Sequence, residues 1–396
     1  MSRSKRLFLL EGVFFCGFCA FYAYVVSIML DYGYNEVQCG YVTMLQFIVM
    51  LVAEPIYGQL IDRSVSPKRM FLILCIGGLV TTPLLPLAFS HGFVWSMLAV
   101  GLVSALDFCV TGGVMDTWIT HMIRKDDSID YGVIRSAGSI FYATTALITG
   151  YLIAPLGIEI LFIIHAVFLL LAIIMAWRMD DPHDLPDLHP VEEVPEHPGI
   201  LDSFRVLFGN RAYVVFLISG MLYYFATRSV NTFMQVILND IGGDVSAYGL
   251  SVFLYCVGEY ITMNVASRLL RRGMKSSVLL IVSLAAMAAR LFLLSVLKDM
   301  LWVMVTQVFL SLGFGCFLRF NIEYVAGLFP PQYNGRAILV CSSVTQGFGC
   351  ILGNLAGGYL LDGIGSSAYC ALCGGILILA LAVFLLGTPK TKAKRS

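Results

Sequence analysis

"MDDPHDLPDLHPVEEVPEHPGILDSF", residues 179–204, interrupts an otherwise apolar chain with proline and acid. It has no apolar periodicity and reads as a flexible connector. Working outward from it, windows long enough to cross about 30 Å of hydrocarbon recur on both sides. Six precede it, near 7–30, 40–61, 69–90, 93–117, 132–155 and 158–178. Six follow, near 211–236, 246–270, 275–296, 300–327, 335–361 and 365–387. The equal count predicts an all-α polytopic membrane protein of twelve transmembrane helices in two pseudo-symmetric six-helix bundles. The expected division is an N-terminal bundle over 1–178, a cytoplasmic linker over 179–210, a C-terminal bundle over 211–387 and a basic tail over 388–396.

Composition agrees. Of the 396 residues 59% are hydrophobic and 13% charged, about half the charged share of a soluble domain. Mean hydropathy is +0.85, so lipid must cover much of the surface. The net charge of zero gives no case for a nucleic-acid partner. "MSRSKRLFLLEGVFF" runs into a helix too long for a cleavable signal. The eleven cysteines lie mostly in apolar runs without metal spacing and read as small hydrophobes, so no metal or cofactor is expected. Twenty of the 25 Lys and Arg residues lie at the N-terminus, in the loops after even-numbered helices, or in the tail. The positive-inside rule then places both termini and the linker in the cytoplasm of an inner-membrane protein. Short odd-numbered loops leave no room for an outer domain, which weighs against a receptor.

The informative residues are the charges inside the spans. The acids are Glu11, Glu54, Asp107, Asp116, Glu259 and Glu323, and the bases are Arg135, Arg228, Arg290 and Arg319. Each is costly against lipid, so each should face the interior, pair, or line water. Glu11 reads as wet, near the cytoplasmic end of helix one, and His165 as an ordinary polar spot in helix six. Arg319 and Glu323 are four apart and can pair on one helix face. Arg135 and Asp116 invite pairing between helices five and four, where a guanidinium fork and a carboxylate can hold the hydroxyls of a sugar-like solute. Trp118 lies nearby; it can stack on a sugar ring or anchor at the interface. Arg228 can bind an anion or neutralise Glu259. Glu259, deep in helix eight, can bind and release a proton, with Arg290 as a switching partner.

"YGQLIDRSVSPKRM", residues 57–70, resembles the helix two–helix three signature loop of the major facilitator superfamily. Gly58, Asp62 and Arg63 match it, and Lys68 and Arg69 supply its basic cluster; Val65 stands at a usual glycine and Pro67 interrupts the basic run. In the second half, "ASRLLRRGMK" offers Arg271 and Gly273. The resemblance implies that these loops brace the alternating states. Within the superfamily the chain is most similar to the group of the lactose permease and its sugar, nucleoside and phenylpropionate relatives. That similarity implies substrate-binding roles for Arg135 and Asp116, a role in sugar contact and coupling for Glu259, and a coupling role for Arg290. The departures are Val133 in place of a second arginine, Leu310 and Gly313 in place of a His and a Glu, no lysine in helix eleven, and the added Arg228 and Glu54.

The expected function is therefore secondary transport of a small polar solute (sugar, nucleoside or small organic acid) by alternating access, with proton symport. Substrate contact falls to Asp116, Arg135, Trp118, Arg228 and Glu259, and coupling to Glu259, Arg290, Glu54 and Glu323. The alternatives are proton-antiport efflux, with Glu54 and Asp107 carrying protons, and a non-transporting membrane sensor. An enzyme is not expected: no nucleophile or metal cluster appears, and "LGNLAGG" has no phosphate-loop lysine. The expected partners are the solute, a proton and membrane lipid, with a path through each monomer.

Overall fold

The computed structural model describes residues 2–111, 113–186, 188 and 199–387. Among these the chain is almost wholly helical and holds no strand. In the first half, α1 joins Arg3–Phe18, a π-helical turn Cys19–Ala23, and Val25–Asp31; α2 is Glu36–Arg63; α3 joins Pro67–Thr81 and Leu84–His91. Then α4 joins Phe93–Leu106, a 3-10 turn Phe108–Val110, and Gly113–Ile123; α5 is Tyr131–Leu156 and α6 is Ile160–Trp177. In the second half, α7 joins Arg211–Thr232 and Met234–Asn239, α8 is Val245–Arg271, α9 is Ser276–Val296, and α10 joins Met300–Val305 and Gln307–Ala326. The remaining run from Pro331 to Gly387 is broken at Gly365, where φ is +74°, so it supplies α11 and α12. Among the described residues ten runs are long and apolar enough to cross a membrane; the bent α3 and the break at Gly365 bring the total to the twelve spans expected.

Local chemistry sets the helix ends. The Asn35 side chain accepts from Gln38 N at 2.9 Å while Gln38 Oε1 accepts from Asn35 N at 3.0 Å, a capping box that starts α2. Pro83 sits where α3 bends by 48°, because it offers no N–H to the helical ladder. Ser66 caps the start of α3, accepting from Arg69 N at 3.1 Å, and Pro67 fills the first helical position. The proline that breaks the basic run is thus a helix starter.

The chain packs as two compact units. One takes 1–192 with 232–257 and 355–362, and the other takes 193–231, 258–354 and 363–396. The division does not simply follow the polar linker, because the end of α7, the first half of α8 and part of α11 pack with the first six helices. In that first unit a Cβ on Gly249 would collide with the Ala146 carbonyl oxygen, so glycine lets α8 meet α5. Tyr248 OH donates to Ala23 O at 2.7 Å, Tyr24 OH to Ala146 O at 2.5 Å, and Ser27 Oγ to Gln235 Oε1 at 3.3 Å. Its core lies among α1, α3, α4, α5 and α6, around Leu10, Phe14, Phe71, Trp118 and Ile134.

The described residues at either end of the stretch read as a flexible connector make defined contacts. Lys125 Nζ donates to Leu185 O at 2.6 Å and Leu188 N to Arg124 O at 3.0 Å. Ile200–Gly209 is a helix, with Phe204 and Phe208 stacked at 6.0 Å on an exposed side and Leu207 buried. Its apolar positions at helical spacing were hidden by the proline-rich stretch before them. The rest of the linker, like the basic tail over 388–396, lies outside the described residues.

The loop between α2 and α3 binds the end of α6. Ser66 Oγ donates to Asp181 Oδ2 at 2.6 Å, Arg69 Nε lies 3.6 Å from the same oxygen, and Lys68 Nζ donates to Met179 O at 2.5 Å. Lys68 also reaches Trp177 O at 3.4 Å, so a cation meets the carbonyl end of a helix. Replacing Asp181 with alanine strands the buried Ser66 hydroxyl and should cost roughly 1–3 kcal/mol. A fall of several degrees in the unfolding temperature of the detergent-solubilised protein is the expected readout.

Candidate functional site

Asp130 caps α5 by accepting from Val133 N at 2.9 Å, which sets the register of the first turn. Arg135 follows one turn later and points toward α1. Its Nη1 donates to Glu11 Oε1 at 2.9 Å, its Nε lies 4.0 Å from Asp116 Oδ1, and its guanidinium carbon stands 4.8 Å from the centre of the Phe15 ring. The expected Arg135–Asp116 pairing is present, but the closer partner is Glu11. The reading of Glu11 as a wet helix end is corrected: its side chain is fully buried, whereas those of Arg135 and Asp116 are 37% and 34% exposed. Glycine makes the pairing possible. A Cβ at Gly138 would lie 2.9 Å from Arg135 Nη1, 3.1 Å from the Phe15 ring and 3.2 Å from Glu11 Oε1.

The division of labour follows from exposure. Glu11 occupies one edge of the guanidinium and cannot reach a solute. Arg135 and Asp116 lie side by side with about a third of each side chain exposed, a donor fork next to a carboxylate whose near oxygen, Oδ1, is itself buried. Asp116 Oδ1 accepts no hydrogen bond among the described residues. Glu54 joins the same neighbourhood: its Cγ lies 3.8 Å from the Cβ position of Gly113 on α4, and it is within electrostatic reach of Asp116. Two carboxylates thus flank one guanidinium, and Glu54 stands by the second of them.

Trp118, expected to offer a ring to a solute, is instead fully buried, 5.5 Å from Phe71. A solute would have to open the core to reach it. A sequence window cannot tell which face of α4 turns inward, and here the indole took the packing side.

In the second unit Glu259 is half-buried on α8, with its Cγ 3.4 Å from the Cβ position of Gly315 on α10. Arg228 stands 5.5 Å from the Phe314 ring centre, with Tyr224 and Cys350 in electrostatic reach. Arg290 is fully buried and donates to Asn231 Oδ1 at 3.0 Å. Leu310 and Gly313 are packing positions: Leu310 is buried, and a Cβ on Gly313 would strike Met287 of α9. Arg319 and Glu323 form the i,i+4 pair at 3.6 Å, both about two-fifths exposed.

Of the loop residues, Asp62 and Arg63 are exposed and a Cβ on Gly58 would meet open space. Arg271 is exposed at the end of α8, and Gly273, with φ +91°, ends that helix by donating to Leu270 O at 2.8 Å.

A second cluster went unread in the sequence. Tyr22 OH donates to Asp107 Oδ1, and His165 Nε2 lies 3.0 Å from Asp107 Oδ2. His165 Nδ1 lies 2.9 Å from Gly17 O, to which it must donate. Asp107 and His165, 58 positions apart on α4 and α6, are both about 1% exposed. The available signal was two ionisable residues at mid-span, each of which needs a partner.

The model of the MFS_1 like family matches residues 6–371. The maltose permease of Geobacillus stearothermophilus is 25% identical over 352 residues, covering 87% of this chain and 85% of that protein. The uncharacterized transporter YwbF of Bacillus subtilis (strain 168) is 24% identical over 362 residues, covering 91% and 86%. Among solved structures, the nucleoside transporter NupG superposes with a TM-score of 0.81 at 18% identity, covering 98% of this chain and 99% of that one. A bacterial homologue of the lysosomal transporter Spinster, in an inward-facing form, gives 0.72 at 14%, covering 98% of each. With a family match over nearly its whole length and twelve spans in the major facilitator fold, the chain belongs to the MFS_1 like family and is a multi-pass membrane transporter, not an enzyme.

Proposed function

We propose that the chain imports an uncharged, hydroxyl-rich solute, a sugar or a nucleoside, by proton symport and alternating access. The observation that carries this is the accessible Arg135–Asp116 pair set beside buried Glu11. A guanidinium offers donors and a carboxylate offers acceptors, which together suit vicinal hydroxyls. The acid excess around Arg135 disfavours an anion, so the small organic acids named from the sequence drop out. Two proteins that the chain resembles, a maltose permease and a nucleoside transporter, support the same solute classes. Glu259 and Arg228 are the matching polar groups of the second unit. For coupling, Glu54 and Glu259 keep half-buried places suited to a proton, whereas Glu323 is engaged with Arg319 in an exposed pair. The basic loops favour a cytoplasmic-membrane protein with both termini inside, and a solute path through each monomer is the simplest arrangement.

The test is uptake of labelled maltose and uridine into proteoliposomes holding the purified protein. With an inside-alkaline gradient, one probe should accumulate above equilibrium, and Glu259→Gln should remove that accumulation. Uptake indifferent to the gradient would replace symport with facilitated diffusion. Transport of organic anions but of neither probe would overturn the solute class.

A further inference from the structure

Two helix irregularities converge on Asp107. The α-helical part of α4 ends at Leu106 and passes into the 3-10 turn Phe108–Val110, so Asp107 sits at the break. The π-helical turn Cys19–Ala23 in α1 contains Tyr22. Turns of this kind often mark working positions, because they re-aim a side chain inside a helix. Opposite both stands His165 of α6. The titratable groups facing Asp107 are Tyr22 of α1, Cys75 of α3, Cys109 of α4 and His165 of α6. Gly78 of α3 leaves room for the carboxylate; a Cβ there would lie 3.0 Å from Asp107 Oδ2.

Proton counting constrains this cluster. The Gly17 carbonyl can only accept, so His165 Nδ1 carries a hydrogen. Tyr22 spends its hydroxyl hydrogen on Asp107 Oδ1. What remains is the 3.0 Å contact between His165 Nε2 and Asp107 Oδ2, an ion-pair distance without in-line hydrogen-bond geometry. One proton there makes the pair neutral, either as carboxylate with imidazolium or as carboxylic acid with imidazole. With no proton there, two lone pairs oppose each other and a net negative charge lies buried. The observed geometry therefore belongs to the one-proton state, and loss of that proton must push the pair apart.

We infer that Tyr22, Asp107 and His165 form a proton-binding site, in which a single exchangeable proton is held between Asp107 and His165 under the Tyr22 ring. Tyr22 is the half-buried member, packed on Phe18 at 4.6 Å and Phe108 at 4.8 Å, and its rotation is the route by which the proton enters and leaves. The site also has a mechanical link to the solute pair. Glu11, Phe15, Phe18 and Tyr22 follow at spacings of four, three and four on one face of α1. Glu11 holds Arg135, Phe15 lies under its guanidinium, Phe15 and Phe18 meet at 5.7 Å, and Tyr22 holds Asp107. Release of the proton parts Asp107 from His165 and leaves the carboxylate leaning on Tyr22 alone; the displacement of Tyr22 with it shifts this face and loosens the Glu11–Arg135 contact. The coupling to transport rests on the proposed symport; the proton site itself does not.

The proton site is tested without any solute. Protein carrying ¹⁵N-histidine is titrated from about pH 5 to about pH 9, and the His165 signal is identified by its loss in His165→Gln. The expected result is that the Nε2 signal moves between its proton-holding and neutral positions while Nδ1 keeps its hydrogen, with the midpoint displaced in Asp107→Asn. A His165 signal constant over the whole range would overturn the site and leave a fixed structural pair. The coupling is tested with maltose and uridine in proteoliposomes. In Asp107→Asn the ratio of gradient-driven accumulation to counterflow should fall by about tenfold or more; an unchanged ratio with a titrating His165 would overturn the coupling and keep the proton site. Should Asp107→Asn not fold, the wild-type titration still decides. Uptake by the wild-type protein that ignores the gradient, with a titrating His165, would count against symport and not against the proton site.

Discussion

Arg135→Ala is expected to abolish solute binding and to weaken the fold in the same stroke. Binding is lost because the donor fork beside Asp116 is gone. Stability is lost because Glu11 stays behind, fully buried, without its cation. Breaking a buried pair from one side costs about 3–5 kcal/mol, here toward the lower end because Arg135 is itself more than a third exposed. The two effects separate in the double variant Glu11→Gln/Arg135→Ala, which should recover most of the unfolding temperature and none of the binding. Arg135→Lys should keep the charge, lose the planar fork and bind weakly. Near-normal uptake of maltose or uridine by Arg135→Ala would remove Arg135 from the solute site.

Gly249→Val should stall the transport cycle. Its Cβ would run into the Ala146 carbonyl oxygen and lie 2.8 Å from Tyr24 OH and 3.1 Å from Gly150 Cα. Backbone cannot yield as a side-chain tip can, so α8 and α5 must part. That breaks the Tyr24–Ala146 and Tyr248–Ala23 hydrogen bonds on the same seam. Overpacking of this kind costs roughly 1–3 kcal/mol, enough to move a balanced two-state equilibrium by about tenfold or more. Faster amide hydrogen exchange over residues 146–150 and 246–250, together with a matching loss of turnover, is the expected pair of results. Unchanged exchange and turnover would show that the seam tolerates a side chain.

The spans were legible because lipid imposes length and hydropathy on each helix separately. Even the near-continuous α11 and α12 were divided within a few residues of Gly365. The site was legible only where its members announce themselves locally. Arg319 and Glu323 pair by helical spacing alone, and Arg135 stands out as a base inside an apolar run. Glu11 was misjudged because its burial comes from α5, more than a hundred residues away, although five positions separate it from the nearest N-terminal base. Asp107 and His165 share no sequence neighbourhood; their meeting depends on helix rotation, which the breaks in α1 and α4 alter locally. Trp118 shows the converse, an aromatic residue two positions from the candidate acid Asp116 that belongs to the core.

All eleven thiols are buried, including Cys19, Cys109 and Cys370, which are fully inaccessible. An alkylating reagent can therefore modify them only during openings of the helices around them. The protein thus carries a distributed set of clocks. The ratio of each thiol's modification rate to that of an unprotected cysteine gives the fraction of time its surroundings stand open. Read with and without solute, those rates would map which helices part in the cycle, with no label added and no residue changed.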